Sequence, residues 1–247
     1  MPQGKKEKPA QPDLSQWTPV EKVIMERRSI RAFKKTPLPD FMIRRLLEAA
    51  RFAPSAGNAQ PWKFIVVKNP EILAAMEKDA VRMAKVFMWM LDYSRSRWRR
   101  IFLKPWAKLI IRLRYNELHP VPFGLLRSIA NEECPVFHHA PTLILLLEDR
   151  RGVSCPPTDI GICGEHIVLA AHSMGAGSCW VGLIKLLMYQ PKWKKYFGVK
   201  YPYRLNDCIA VGWPRVKADG QVPREKQKVE WFVDGLDMPP RTEEQGE

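Results

Sequence analysis

The run Thr142-Leu-Ile-Leu-Leu-Leu147 constrains the fold of this 247-residue chain more than any other stretch. It has neither charge nor amphipathic period, so a strand built from it must be covered on both faces. That demands a sheet between helices, and the rest of the chain supplies them. Thr18-Pro-Val-Glu21 has the form of a capping box with Pro19 at the first helical position, which predicts a helix to about residue 28. Ile43, Leu46, Leu47, Ala50 and Ala53 recur at three- and four-residue spacing and predict a helix over 40–53, stopped by Pro54. Further helices are predicted over 79–91, over 158–174 with Gly175 as its stop, and over 191–197 closed by Gly198. Segments 63–67, 178–181, 208–211 and 228–233 read as extended. The elements mix without a regular βαβ rhythm, so one α+β domain is expected.

With 46% hydrophobic residues the chain can fill a core of this size. Its five cysteines are odd in number, scattered and free of any C-x-x-C pair, which argues against a disulfide framework or a metal cluster. A reducing cytoplasm is the expected setting. Residues 1–17 are rich in Lys, Gln and Pro and read as a flexible arm without signal-peptide character, followed by a domain over 18–236 and a tail over 237–247.

The net charge of +14 is concentrated. Eight basic residues and no acidic one fall within 93–116, where Trp98, Phe102, Trp106 and Ile110 recur every fourth residue. Arg100, Lys104, Lys108 and Arg112 do the same, offset by two; because two residues turn a helix by about 200°, aromatics and cations are expected on opposite faces. Pro105 is expected to kink or break that helix. The charge density excludes a transmembrane span.

Candidate chemistry begins with two cationic clusters, Arg27-Arg-Ser-Ile-Arg31 and Pro223-Arg-Glu-Lys226. An isolated basic helix end commonly does no more than complement the macrodipole. Together with Ser29, however, guanidinium and hydroxyl groups from both clusters are the right donors for a phosphate. The run Met174-Gly-Ala-Gly-Ser-Cys-Trp-Val-Gly182 fails as a dinucleotide fingerprint, since it follows a helix and leads into a strand; its small residues suit close backbone approach to something flat. The five histidines give no metal spacing, no G-x-S-x-G elbow is present, and Cys179 has no basic neighbour in sequence. Without acid–base machinery of its own, the chain points to chemistry carried by a bound cofactor.

Five motifs in order carry a resemblance: RRSIRAF, LLEAARFAPSAGNAQPWKFIVV, DIGICGEHIVLAAHSMG, SCWVG, and IAVGWP followed by PREK. The set resembles the FMN-dependent nitroreductase family over roughly residues 20–231, apart from a helical basic insertion at 82–133. The resemblance implies a nitroreductase-like fold, a central, mainly antiparallel sheet flanked by helices in an intertwined homodimer, with FMN at the subunit interface. It implies that Arg27, Arg28 and Ser29 hold the phosphate and ribityl chain, that Arg31 faces the pyrimidine edge, and that Arg224 and Lys226 close on the phosphate. Pro54, Ser55, Ala56 and Asn58 would come from the second subunit, with Gln60 supporting their turn, while backbone N–H groups of Val181 and Gly182 would meet the flavin N5/O4 edge. The implied reaction is ping-pong hydride transfer from NAD(P)H or another donor to a conjugated acceptor such as a nitroaromatic or quinone, oriented and polarised by the protein.

Alternatives stand beside this reading. The basic segment, with Trp98, Phe102 and Trp106, suits a substrate lid or subunit interface, a membrane-surface helix, or a solvated face; no base-reading motif accompanies it, so nucleic acid is not expected as a partner. The whole protein is read as an oxidoreductase, with a non-catalytic flavin binder or a peripheral membrane-docking protein as the alternative.

Overall fold

A computed structural model describes residues 17–92, 96–113, 120–216, 224–233 and 240–245. The expected arm, apart from Trp17, and parts of the expected tail lie outside the described residues, as do Arg95 and Arg114. The described residues fall into two units, those up to 216 and those from 224 on.

In the first unit, β1 (Trp62–Val67), β2 (Thr142–Asp149), β3 (Gly177–Trp180) and β4 (Tyr203–Gly212) form one sheet in the order β1-β2-β4-β3. Every pairing in it is antiparallel. The apolar run of β2 is central, and Thr142 through Leu147 are all buried. Alternation along the strand splits the core in two. Leu143, Leu145 and Leu147 pack with α3 (Pro70–Leu91) and α5 (Pro120–Ala130) through Met76, Ala80, Leu126 and Ile129. Ile144 and Leu146 pack with α2 (Asp40–Arg51) and α6 (Pro156–Ser173) through Leu46, Ala50, Cys163 and Ile167. The expected α+β sandwich, an antiparallel sheet flanked by helices, is the observed one.

α1 (Pro19–Glu26) has the expected capping box, with Thr18 and Glu21 bonded reciprocally, yet it buries no residue within the protomer. α3 starts nine residues earlier than its apolar period suggested, because Asn69 accepts from Glu71 N and Ile72 N at 2.8 and 3.2 Å and Pro70 opens the first turn. α3 runs through residue 82, and Leu126, Ile129 and Ala130 belong to the core, so both ends of the segment 82–133 are packed into the fold.

α4 (Arg97–Leu113) continues through Pro105 without the expected break. Pro105 and Ile101 face solvent, so water can satisfy the Ile101 carbonyl that the proline leaves unpaired. The 3-10 segment Gly182–Tyr189 and α7 (Pro191–Tyr196) lead to β4. In the second unit β5 (Gln227–Trp231) and β6 (Arg241–Gln245) pair antiparallel.

Candidate functional site

Sequence brings Arg27, Ser29 and Arg31 into one short extended segment, and hydrogen bonds fix it to the sheet. Ile30 N donates to Ser178 O at 2.9 Å, Lys34 N to Trp213 O at 2.8 Å, and Arg215 N to Ala32 O at 2.9 Å. Ser29 thus lies beside β3 in a parallel bridge to Ser178. Because alternate residues of an extended chain point the same way, Ser29 and Arg31 share a side and are both exposed.

Arg27 is mostly covered. Its Nε lies 3.1 Å from Glu165 Oε1, an ion-pair distance, but the N–H is not aimed at that oxygen and makes no hydrogen bond. A buried guanidinium N–H without an acceptor is costly and suits an anion. Arg28 Nη1 donates to Met25 O at 2.6 Å and Arg27 O at 2.7 Å, capping the end of α1.

Arg31 lies near enough to the Cys179 thiol and to His138 for its charge to act on both. The basic neighbour that Cys179 lacks in sequence is therefore supplied by the fold. Burial pushes the Cys179 thiol up, and Arg31 opposes this. Burial, then the charge of Arg31 and His139, holds the His138 imidazole below the ordinary 6.5. His138 and His139 both have left-handed backbone, φ 54° and 52°. Sequence reading gave them no role, and no local signal marks them: their place next to Arg31 comes from tertiary packing alone. His166 satisfies its Nδ1 on Ala49 O at 3.0 Å, tying α6 to α2.

The turn after α2 is self-supporting. Gln60 N donates to Ser55 Oγ at 3.0 Å, Asn58 N to Ser55 O at 2.9 Å, and Gln60 Nε2 to Asn58 Oδ1 at 3.1 Å. Gly57, Asn58 and Gln60 all adopt left-handed backbone, a conformation that costs energy at the two non-glycine positions. Pro54 and Asn58 are exposed, Ser55 and Ala56 half-buried, so a rigid small-residue surface faces outward.

Of the two backbone donors expected after β3, one is unavailable. Val181 N already donates to Cys208 O at 2.8 Å, which removes it from ligand binding. Gly182 is exposed and opens a 3-10 segment, where the first N–H groups have no partner in their own helix. A side chain at 182 would approach Asp207 Oδ1 to 3.2 Å. Arg224 and Lys226 are exposed and precede β5 in the second unit.

Trp98, Phe102 and Trp106 are 72%, 62% and 64% exposed, and α4 makes its main contact with α3. Half-buried Leu103 and buried Ala107 carry that contact, leaving the aromatic and cationic arcs both in solvent. A groove of about 1120 Å³ along α3, lined by Lys35, Lys78, Arg82, Phe137 and His139 among others, contains none of the cationic or small-residue positions above. No cluster of metal-ligating side chains occurs among the described residues.

The profile of the Nitroreductase family matches residues 24–213. The chain belongs to that family. Within it, this nitroreductase-family chain is 25% identical over 198 residues to a protein of Archaeoglobus fulgidus named "Putative NADH dehydrogenase/NAD(P)H nitroreductase", covering 80% of this chain and 87% of that one. It is 49% identical over 191 residues to the 5,6-dimethylbenzimidazole synthase of Rhodospirillum rubrum, covering 76% and 79%. Among solved structures, a nitroreductase with bound FMN from Desulfitobacterium hafniense superposes with a TM-score of 0.62 at 23% identity, covering 85% of this chain and 96% of that one. The last likeness establishes the fold.

Proposed function

We propose that this nitroreductase-family chain is an FMN-dependent oxidoreductase that passes two electrons from a reduced nicotinamide nucleotide to a small conjugated acceptor, such as a nitroaromatic or quinone. The observation that carries the reading is the stitched segment 27–31, which offers a buried, unbonded Arg27 N–H and an outward Ser29 and Arg31 along one edge of the sheet.

These residues fit FMN. Arg27 and Ser29 hold the phosphate and ribityl oxygens, and Arg31 places a fixed cation at the pyrimidine edge. The Gly182 N–H serves the opposite edge. The small-residue turn, Pro54, Ser55, Ala56 and Asn58 with Gln60 bracing it, is contributed by a second copy of the chain in a homodimer. Supporting that dimer, Val20, Ile24 and Met25 of α1, Phe41 of α2 and Phe52 just after it are large apolar side chains exposed among the described residues. FMN, when bound, supplies the two-electron chemistry. The protein's own part is to orient donor and acceptor and to hold positive charge where negative charge develops.

The purified protein is expected to be yellow, and NADH or NADPH should bleach it anaerobically. Arg27→Ala should weaken FMN retention, and Arg31→Ala should slow bleaching more than it weakens retention. A colourless protein that ignores added FMN overturns the reading. Bound flavin that no donor reduces leaves a flavin carrier instead.

The 49% identity to the R. rubrum synthase supports a second reading. The dimethylbenzene ring of 5,6-dimethylbenzimidazole matches that of the flavin. Its appearance by mass spectrometry in aerobic mixtures of protein, FMN and NADPH would favour synthesis over acceptor reduction.

A further inference from the structure

α4 has an unusual division of its surface. Six of its seventeen residues are cationic and none is acidic. At about 100° per residue, Leu103 and Ala107 point to the protein, and the remaining circumference falls into two adjoining arcs. One holds Trp98, Ile101, Phe102, Trp106 and Leu109, between 45% and 72% exposed. The other holds Arg97, Arg100, Lys104, Lys108 and Arg112, all exposed. Trp98 and Phe102 stack, with ring centroids 6.1 Å apart and planes 7° apart, which widens a flat apolar surface. Val86 and Trp89 on the last turns of α3, the helix that α4 packs against, are also exposed.

We propose that α4 docks the protein on an anionic lipid surface, lying in the plane of the interface with its aromatic arc among the acyl chains and its cations at the headgroups. Charge complementarity selects this occupant. A second copy of the chain would bring a like-charged arc against this one, and a soluble acidic partner would leave the aromatics unserved. Indole and phenyl rings beside arginines match the bilayer boundary, where one side is apolar and the other carries phosphate. No helix among the described residues is long and apolar enough to cross a membrane, so the helix lies on the surface. Such docking brings the protein to acceptors dissolved in the bilayer. It does not depend on flavin.

The test is co-sedimentation of the full-length, FMN-supplemented protein with vesicles of phosphatidylcholine alone or with phosphatidylglycerol added. Binding is expected to the anionic vesicles only and to weaken with added salt. Replacing Arg100, Lys104, Lys108 and Arg112 by Gln should lower partitioning at least about tenfold. Trp98→Ser with Trp106→Ser should do likewise, and neither set opens a cavity, since all six side chains are exposed. Absence of binding by the unaltered protein at low salt overturns the proposal, whatever the variants do. So does binding that both variant sets leave unchanged. Variants that turn from dimer to monomer on size exclusion would make the face a subunit contact. Variants that lose turnover of a soluble acceptor while binding vesicles normally would make it a lid.

Discussion

The backbone N–H of Ile30 donates to Ser178 O at 2.9 Å, and the Ile30 side chain closes over Gly177, where an added methyl would sit 2.9 Å from Ile30 Cβ. Ser29 and Arg31 take their direction from this contact. Gly177→Ala should push the segment off β3, destabilise the fold by about 1–3 kcal/mol and cut FMN retention. Thermal melts and retained absorbance check both effects.

Gly164 provides the matching control. A methyl there would fall 2.2 Å from Trp180 Cη2, inside the compartment between α6 and the sheet. Gly164→Ala should cost about 1–3 kcal/mol or more, while refolded protein keeps its affinity for FMN. Equal loss of flavin in both variants would mean that the Ile30 contact has no special place in the site.

Asp79 is 8% exposed and accepts from Trp193 Nε1 at 3.0 Å, and Lys192 pairs with the same oxygen. Asp79→Ala strands the buried indole N–H and should cost about 1–3 kcal/mol. Asp79→Asn keeps an acceptor and should cost less. Denaturant titration of the two variants separates the hydrogen bond from the charge.

His138 gives a pH dependence with a definite sign. Its pKa in the folded protein is lowered from 6.5, burial first and Arg31 next, so the unfolded chain takes up that proton more readily. The stability this contributes is complete above about pH 6.5 and is lost as pH falls through the lowered folded value. Asn tolerates the left-handed φ of 54° at this position. His138→Asn should therefore melt with a flatter pH profile than the unaltered protein below neutrality, and parallel profiles would exclude His138 as the source.

The layers of the fold were legible because they rest on local patterns. The charge-free run of β2 and the periodic stripes of α2 and α6 each state which face is buried. α5 was not legible: Pro120, Pro122 and Gly124 disguise a helix held by Leu126 and Ile129 in the core. The start of α3 was missed because the Asn69-Pro70 cap was passed over in favour of apolar period. At the site, residue types in Arg27, Ser29 and Arg31 were readable, but their remaining bonding capacity was not. Arg28 Nη1 is engaged at the end of α1, and the Val181 N–H by Cys208, through contacts that no spacing encodes.

β2 is a partition as well as a strand. Its odd-numbered leucines belong to one packed compartment and Ile144 and Leu146 to the other, with backbone in between. Volume changes on one side therefore reach the other only by bending the sheet, and substitutions on opposite sides should add nearly independently. A lineage can thus remodel the α3–α5 half without retuning the α2–α6 half.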